Sequence, residues 1–260
     1  DPYELDIKLK EKVNSVDVDQ NLTPEEKKDL KNEIKKEAQT ITTLKSVNVT
    51  NMRKVKTDPS KANHIYDIEN FNFTYAFIQA ERQNPTIESE VINKHKGTIG
   101  YNFNSKSNFW QPFKSVLNNS RFLKPIKEIA FNYRPSTIGF RTEINRQFGQ
   151  TKVRDIGDDG LIIDPTFDKY FTWDRGFNYR HDITKALTLD FSNKNAARID
   201  EPAGRIDTRE KRDSLKESFW SFGRNINYSH NLNVGYTFPF KNIPYLDWLS
   251  GNIKYGSSYN

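Results

Sequence analysis

The chain has 260 residues, only 35% of them hydrophobic, and its mean hydropathy is −0.85. That is poor for one large soluble core, and no apolar run reaches the 18 residues of a membrane helix. Yet 13% of residues are aromatic, with 18 Phe and 12 Tyr, which argues against disorder. The absence of cysteine excludes disulfides, thiolate metal sites and cysteine nucleophiles. The net charge of +6, from 40 basic and 34 acidic residues mixed along the chain, makes no continuous nucleic-acid stripe.

Residues 1–43 read as a polar, partly helical segment. Thr23 is a candidate N-cap, Pro24 suits the first helical position and Glu26 closes a capping box. Leu30, Ile34 and Ala38 form a thin apolar stripe, so the expectation is an exposed helix with a solvated face, with a partner-docking helix as the sharper alternative. No secretion signal opens the chain, and Asp1 is expected to be a mature terminus or a cut inside a larger protein.

From Leu44 the hydrophobic period changes to two, which predicts about ten strands over residues 44–260. The first three are expected near Leu44–Lys56, Tyr66–Gln79 and Val91–Asn104. The fourth and fifth are expected near Ile126–Tyr133 and Ile138–Phe148, the sixth and seventh near Phe167–His181 and Lys185–Lys194. Phe219–Tyr228, Leu232–Phe240 and Gly251–Tyr259 complete the set. In each, aromatic and aliphatic residues alternate with Asn, Gly and Thr. Phe71, Phe73, Tyr75, Phe77, Leu232, Val234, Tyr236 and Phe238 are expected to face lipid or a hydrophobic partner. Asn72, Thr74, Asn233 and Gly235 are expected to face a wet lumen.

Short turns are expected between strands two–three, four–five, six–seven and eight–nine, with longer polar segments between three–four (Ser105–Pro125), five–six (Gly149–Thr166) and seven–eight (Asn195–Ser218). That sorting is the loop pattern of an outer-membrane barrel, and by parity it puts residues 1–43 on the periplasmic side. Trp110, Trp173, Trp220 and Trp248 are all expected toward the long-loop side as an interfacial belt. The fold class is therefore all-β: an antiparallel transmembrane β-barrel segment with a short N-terminal helical part. The chain stops on a strand pattern, GNIKYGSSYN, with no closing turn after it. Either the ten strands close on themselves or the rest of the same, larger polypeptide pairs with their edges.

No catalytic, cofactor or metal motif stands out. His64, His95, His181 and His230 are scattered, with His181 and His230 expected at hairpin turns. Asp155–Pro165 is similar to the opening of a calcium loop through Asp155, Asp159 and Gly160, but lacks the third-place ligand and the Glu at the twelfth. Asp200–Asp207 reads as a carboxylate-rich turn. Arg141, Glu143 and Arg146 read as a solvated ladder on the polar face. Catalytic, cofactor and metal residues are thus all expected to be absent.

Four blocks, NFNFTYAFIQ, IKEIAFNYRPSTIGFRTEINRQFGQTKVRDI, FTWDRGFNYRHDITKALTLDFSNKNAARIDEPAGRID and FWSFGRNINYSHNLNVGYTFPFKNIPYLDW, resemble the SprA/Sov family. This is the outer-membrane translocon of the type 9 secretion system of Bacteroidetes, also a cell-surface protein of gliding motility. The resemblance covers roughly residues 44–260. It implies that the chain is an internal piece of a very large single-chain barrel, and that folded cargo proteins with a C-terminal secretion signal pass through it from periplasm to surface. It further implies a plug protein, a shuttle barrel of the PorV kind and a periplasmic peptidyl-prolyl isomerase as partners, with membrane lipid around the barrel and no nucleic acid.

Two other readings stay open on the residues. One is a self-contained ten-stranded outer-membrane hydrolase, which needs Asp and His together at the loop rim. The other is a receptor or adhesin barrel that binds glycans through Phe109, Trp110 and Phe113.

Overall fold

The computed structural model describes residues 2–18, 22–58, 62–115, 123–155, 163–243 and 245–260. Two helices open it, α1 (Pro2–Val18) and α2 (Pro24–Glu37). The expected capping box is present on α2: the Glu26 N–H donates to Thr23 Oγ1 at 3.4 Å and the Thr23 N–H donates to Glu26 Oε2 at 2.8 Å. The two helices pack together, with Val16 buried and Lys31 paired with Asp17.

One antiparallel sheet follows, with its strands in sequence order: β1 (Ile41–Met52), β2 (Phe71–Gln83), β3 (Ile87–Asn104), β4 (Thr137–Val153), β5 (Thr166–Asp182), β6 (Leu187–Arg198), β7 (Arg224–Phe238) and β8 (Gly251–Tyr259). Every strand thus pairs with its sequence neighbour. β1 pairs only with β2 and β8 only with β7, so the sheet is open at both edges among the described residues.

The strand count is eight rather than ten, for two reasons. Residues 126–133 form no ladder. Lys124–Lys127 make one helical turn, α3, and Phe131 forms only single bridges to Trp110 and Thr184. Pro125 and Pro135 flank the segment and each lacks a ladder donor, and Asn132 Oδ1 takes the Arg134 N–H at 3.2 Å in an Asx turn. Conversely, the eighth and ninth predicted strands are one strand, β7. Ser229–His230–Asn231 contains neither Gly nor Pro, and the chain runs straight through it. His230 therefore lies inside a strand and not at a turn.

Losing these two breaks undoes the predicted sorting of loops. One end of the sheet carries connections 53–70, 105–136, 183–186 and 239–250; the other carries 84–86, 154–165 and 199–223, together with α1 and α2. Long and short connections occur at both ends. Residues 199–223 contain a helix, α4 (Arg209–Trp220), where a strand was expected to start at Phe219. Thr208 caps it by accepting the Lys211 N–H at 3.3 Å.

The two-faced pattern holds in register across the sheet. One row reads Phe71, Tyr101, Phe140, Phe177, Asn193, His230, Tyr259, and the adjacent row on the other face reads Asn72, Gly100, Arg141, Gly176, Lys194, Ser229. Asparagines of the polar face lie flat over facing glycines. A Cβ at Gly100 would meet Asn72 Oδ1 at 2.0 Å, and one at Gly139 would meet Asn178 Oδ1 at 2.1 Å. Arg146 corrects the predicted ladder. It pairs in register with His95 and Phe171, which puts it on the aromatic face, because 146 differs in parity from 141 and 143.

Candidate functional site

The aromatic face carries an uncharged belt. It comprises Val47–Val49, Phe71–Phe77, Ile99–Phe103, Ile138–Ile144, Phe177–Tyr179, Leu187–Phe191, Leu232–Phe238 and Ile253–Tyr255, taking the residues of that face in each strand. Val47, Phe71, Ile99, Phe140, Tyr236 and Tyr255 are all exposed. The charged strand residues of this face are Lys45, Glu81, Arg146, Lys152, Lys169 and Arg175. In register, none lies further than Arg175 toward the end that carries the β5–β6 turn.

The belt is not perpendicular to the strands. Its centre on β2 is Thr74, between Phe71 and Phe77. Register carries Thr74 through Thr98, Glu143, Asp174 and Ala196 to Asn227 on β7. The belt's centre on β7 is Gly235, eight residues further along. At roughly 3.4 Å per residue and roughly 4.8 Å between strands, the belt climbs about 27 Å over about 24 Å of sheet. A level band therefore needs strands tilted by about 45–50°, close to the roughly 35–45° of membrane barrels.

The polar face carries compensated charges. Glu143 on β4 accepts from Lys96 Nζ at 2.8 Å, Arg141 Nη2 at 2.8 Å and Asn145 Nδ2 at 3.1 Å. Glu143 and Arg141, with Asp174, Lys194, Asn227 and Ser229, line a groove of about 410 Å³. The groove offers paired charges, amides and the hydroxyl of Ser229, which lies in register with Lys194.

At the other end of the aromatic face the β6–β7 connection, residues 199–223, folds back as a strap. The Ile199 N–H donates to the Phe171 carbonyl at 2.9 Å, and the buried Glu201 carboxylate takes Arg146 Nε at 2.6 Å. Lys169 Nζ donates to the carbonyls of Pro202 (2.8 Å) and Gly204, and Arg205 Nε donates to Gln150 at 2.8 Å. Phe219 then stacks on Trp173, 5.0 Å between centroids at 9°. Arg146 and Lys169 are thereby partnered within the protein, and Arg175 lies between the rings of Trp173 and Phe222. Sequence reasoning missed this strap; its available signals were Thr208 ahead of a run of helix formers and the Phe222–Gly223 stop.

The four tryptophans do not share one end. Trp110 and Trp248 lie in connections at the end with the β5–β6 turn, Trp220 closes α4 at the opposite end, and Trp173 lies on β5, where its Nε1–H donates to Thr142 Oγ1 at 2.5 Å. The histidines stay apart. His95 Nδ1 shares a 2.9 Å hydrogen bond with Tyr75, His181 Nε2 one of 2.8 Å with the Asn132 carbonyl, and His230 stacks on Tyr259. His64 lies in the β1–β2 connection beside Asp67. The His64 N–H (2.8 Å) and Lys56 Nζ (3.0 Å) hold the Asp67 carboxyl below the usual aspartate range. Asp159 and Gly160 of the calcium-like stretch lie outside the described residues. Among the described residues no three metal-ligating side chains gather.

No protein-family model matches the chain, and no curated protein matches it.

Proposed function

We propose that this sheet is a section of wall in an outer-membrane β-barrel, with the aromatic face toward lipid and the polar face toward a water-filled lumen. The observation that carries this reading is the oblique, uncharged belt. Its slope is what strand tilt in a closed barrel demands, and a soluble sheet has no need of it. The belt also accounts for the open edges: β1 and β8 each need a further strand before the wall can stand in hydrocarbon. Trp110 and Trp248 beyond one margin, with Trp173 and Trp220 at the other, suit two aromatic girdles better than the single one expected.

The resemblance of the four aromatic and Asn-rich blocks to the SprA/Sov family supplies the finer reading. The wall belongs to a translocon that conducts folded proteins bearing a C-terminal secretion signal to the cell surface, in type 9 secretion and gliding. It works with a plug, a PorV-type shuttle barrel and a periplasmic peptidyl-prolyl isomerase, and it catalyses no covalent step. Deleting the β5–β6 hairpin, residues 177–191, from the full-length protein should abolish surface appearance of cargo. Alanine at His64, His95, His181 or His230 should leave it nearly intact. A histidine variant that stops secretion while folded and at normal level in the outer membrane would contradict the non-catalytic reading.

One observation favours a receptor or adhesin instead. Phe109, Trp110, Phe131 and Tyr133, with Asn108 and Gln111, line a cleft of about 700 Å³. Flat rings beside amides suit sugar faces and hydroxyls. Glycan binding lost in Trp110→Ala, with secretion unchanged, would select that reading.

A further inference from the structure

The strap ends in an unusual conformation. Phe222 has φ 65°, a left-handed backbone that a bulky residue rarely adopts, and Gly223 follows at φ 68°. Gly223 is required, because a Cβ there would lie 2.7 Å from the Arg198 carbonyl oxygen. The strained residue directs its ring onto the sheet. Phe222 lies 5.4 Å from Trp173, and the Arg175 guanidinium lies 5.1 Å from the Trp173 ring and 5.4 Å from that of Phe222. Arg175 Nη2 also donates to the Phe222 carbonyl at 3.3 Å, while its buried Nε has no hydrogen-bond partner and lies against rings. Meanwhile Trp220 is 74% exposed and Phe222 54%.

The slope of the belt gives these groups a depth. It rises eight residues over five pairings, so its centre on β5 falls near Tyr179. Arg175 is four residues short of that point and Trp173 six. With the strands tilted, these correspond to depths of about 9 Å and about 14 Å below the midline. The apolar band of a membrane barrel is about 25 Å tall, so its margin falls at about 12 Å. Arg175 thus lies inside the band on its lipid side, and Trp173 lies at its edge.

We propose that residues 199–223 form a lipid-interface seal. This rests on the membrane reading above and adds a lipid contact outside the sheet. Helix α4 lies along the membrane surface with Trp220 and Phe222 in the headgroup region, continuous with the belt. Trp173 and Phe222 sheathe Arg175 and so keep its charge from the acyl chains. An aromatic ring at that boundary gains apolar contact while its polar edge stays hydrated, and a cation pressed between ring faces is favoured once water is excluded.

These 260 residues contain no cysteine, and any cysteine elsewhere in the full-length protein is first replaced by serine so that single spin labels can be placed without background. The full-length protein, purified from its own membrane, would carry Tyr236→Cys in one sample and Ser221→Cys in another. Each would be reconstituted in phosphatidylethanolamine–phosphatidylglycerol vesicles. Relaxation by oxygen, which concentrates in the acyl region, would be compared with relaxation by a water-soluble nickel chelate. The seal predicts an acyl-chain position for residue 236 and a headgroup position for residue 221. Adding Phe222→Gly, which removes the ring but tolerates the backbone angle, should raise nickel access at 221 several-fold toward its bulk-water value. A label at 221 already in bulk water, with 236 deep, would overturn the seal alone. Unchanged access at 221 in the Phe222→Gly variant would overturn the role of the ring. A water-exposed label at 236 would overturn the membrane reading and the seal with it.

Discussion

The two halves of the aromatic face differ in one respect that explains the rest. Toward the β7–β8 connection, Leu232, Val234, Tyr236 and Phe238 have no charged strand neighbour on their face, and the one ring that reaches them from beyond the sheet among the described residues is Phe240, stacked on Phe238. Toward the β4–β5 connection, Phe148, Phe171 and Trp173 are just as aromatic but alternate with Arg146, Lys169 and Arg175 across the ladder, and the strap covers them. Aromatic content is therefore not what calls for cover. Each cation on a face that cannot be fully hydrated needs a partner, and the strap supplies carboxylate, carbonyls and rings. On the proposed membrane reading, the uncharged half is the part left to lipid.

Substitution can break or sharpen this contrast. The largest effect is expected at the belt. Val234→Arg should cost about 2–4 kcal/mol in folding in a bilayer, against about 1 kcal/mol or less for Asn233→Arg on the polar face. Equal costs in reversible unfolding would erase the distinction between the faces. Next comes the covered half. Trp173→Ala removes the stacks with Phe219 and Phe222 and the hydrogen bond to Thr142, and should destabilise by about 3 kcal/mol. Proteolysis within residues 199–223 should rise in that variant and not in Tyr236→Ala.

Much of this was legible from residues alone. Period-two alternation placed Phe71–Phe77 opposite Asn72 and Thr74, and the register joins these rows from β2 to β8, whereas on β1 Leu44 falls on the polar face and Lys45 on the aromatic one. The turn count was less legible. A polar triplet such as Ser229–His230–Asn231 looks like a break in a sequence, but a strand with one wet face accepts it. A miscounted strand flips the end to which every later loop is assigned, and the extra strand expected at Ile126–Tyr133 is how Trp220 came to be expected at the wrong end. The helix of the strap had local signals, but its docking onto the sheet was illegible for a different reason. Glu201 and Arg146 are 55 residues apart, and nothing local shows that they meet.

Smaller effects test that long-range pair and the loops. Glu201→Gln should cost roughly 2 kcal/mol, the order of a charged hydrogen bond to a buried acceptor, with little additional loss in Glu201→Gln/Arg146→Gln. A double-mutant cycle measures the coupling, and additive losses would contradict it. Smallest is a pH effect in the β1–β2 connection. Asp67 is held ionised by the His64 N–H and Lys56, so its contribution is complete above the ordinary aspartate range and is lost as pH falls through its lower folded value. Amide exchange at His64 should quicken at that low pH and stay slow near neutrality.

The most direct test of the central claim is a cysteine scan of residues 231–238 in the full-length protein in its own membrane. A water-soluble maleimide is applied first, and a fluorophore at each protected site is then exposed to brominated acyl chains. Residues 231, 233, 235 and 237 should label. Residues 232, 234, 236 and 238 should be protected and quenched by the brominated lipid. Protection without quenching, or labelling at 232, 234, 236 and 238, would contradict the assignment of the aromatic face to lipid.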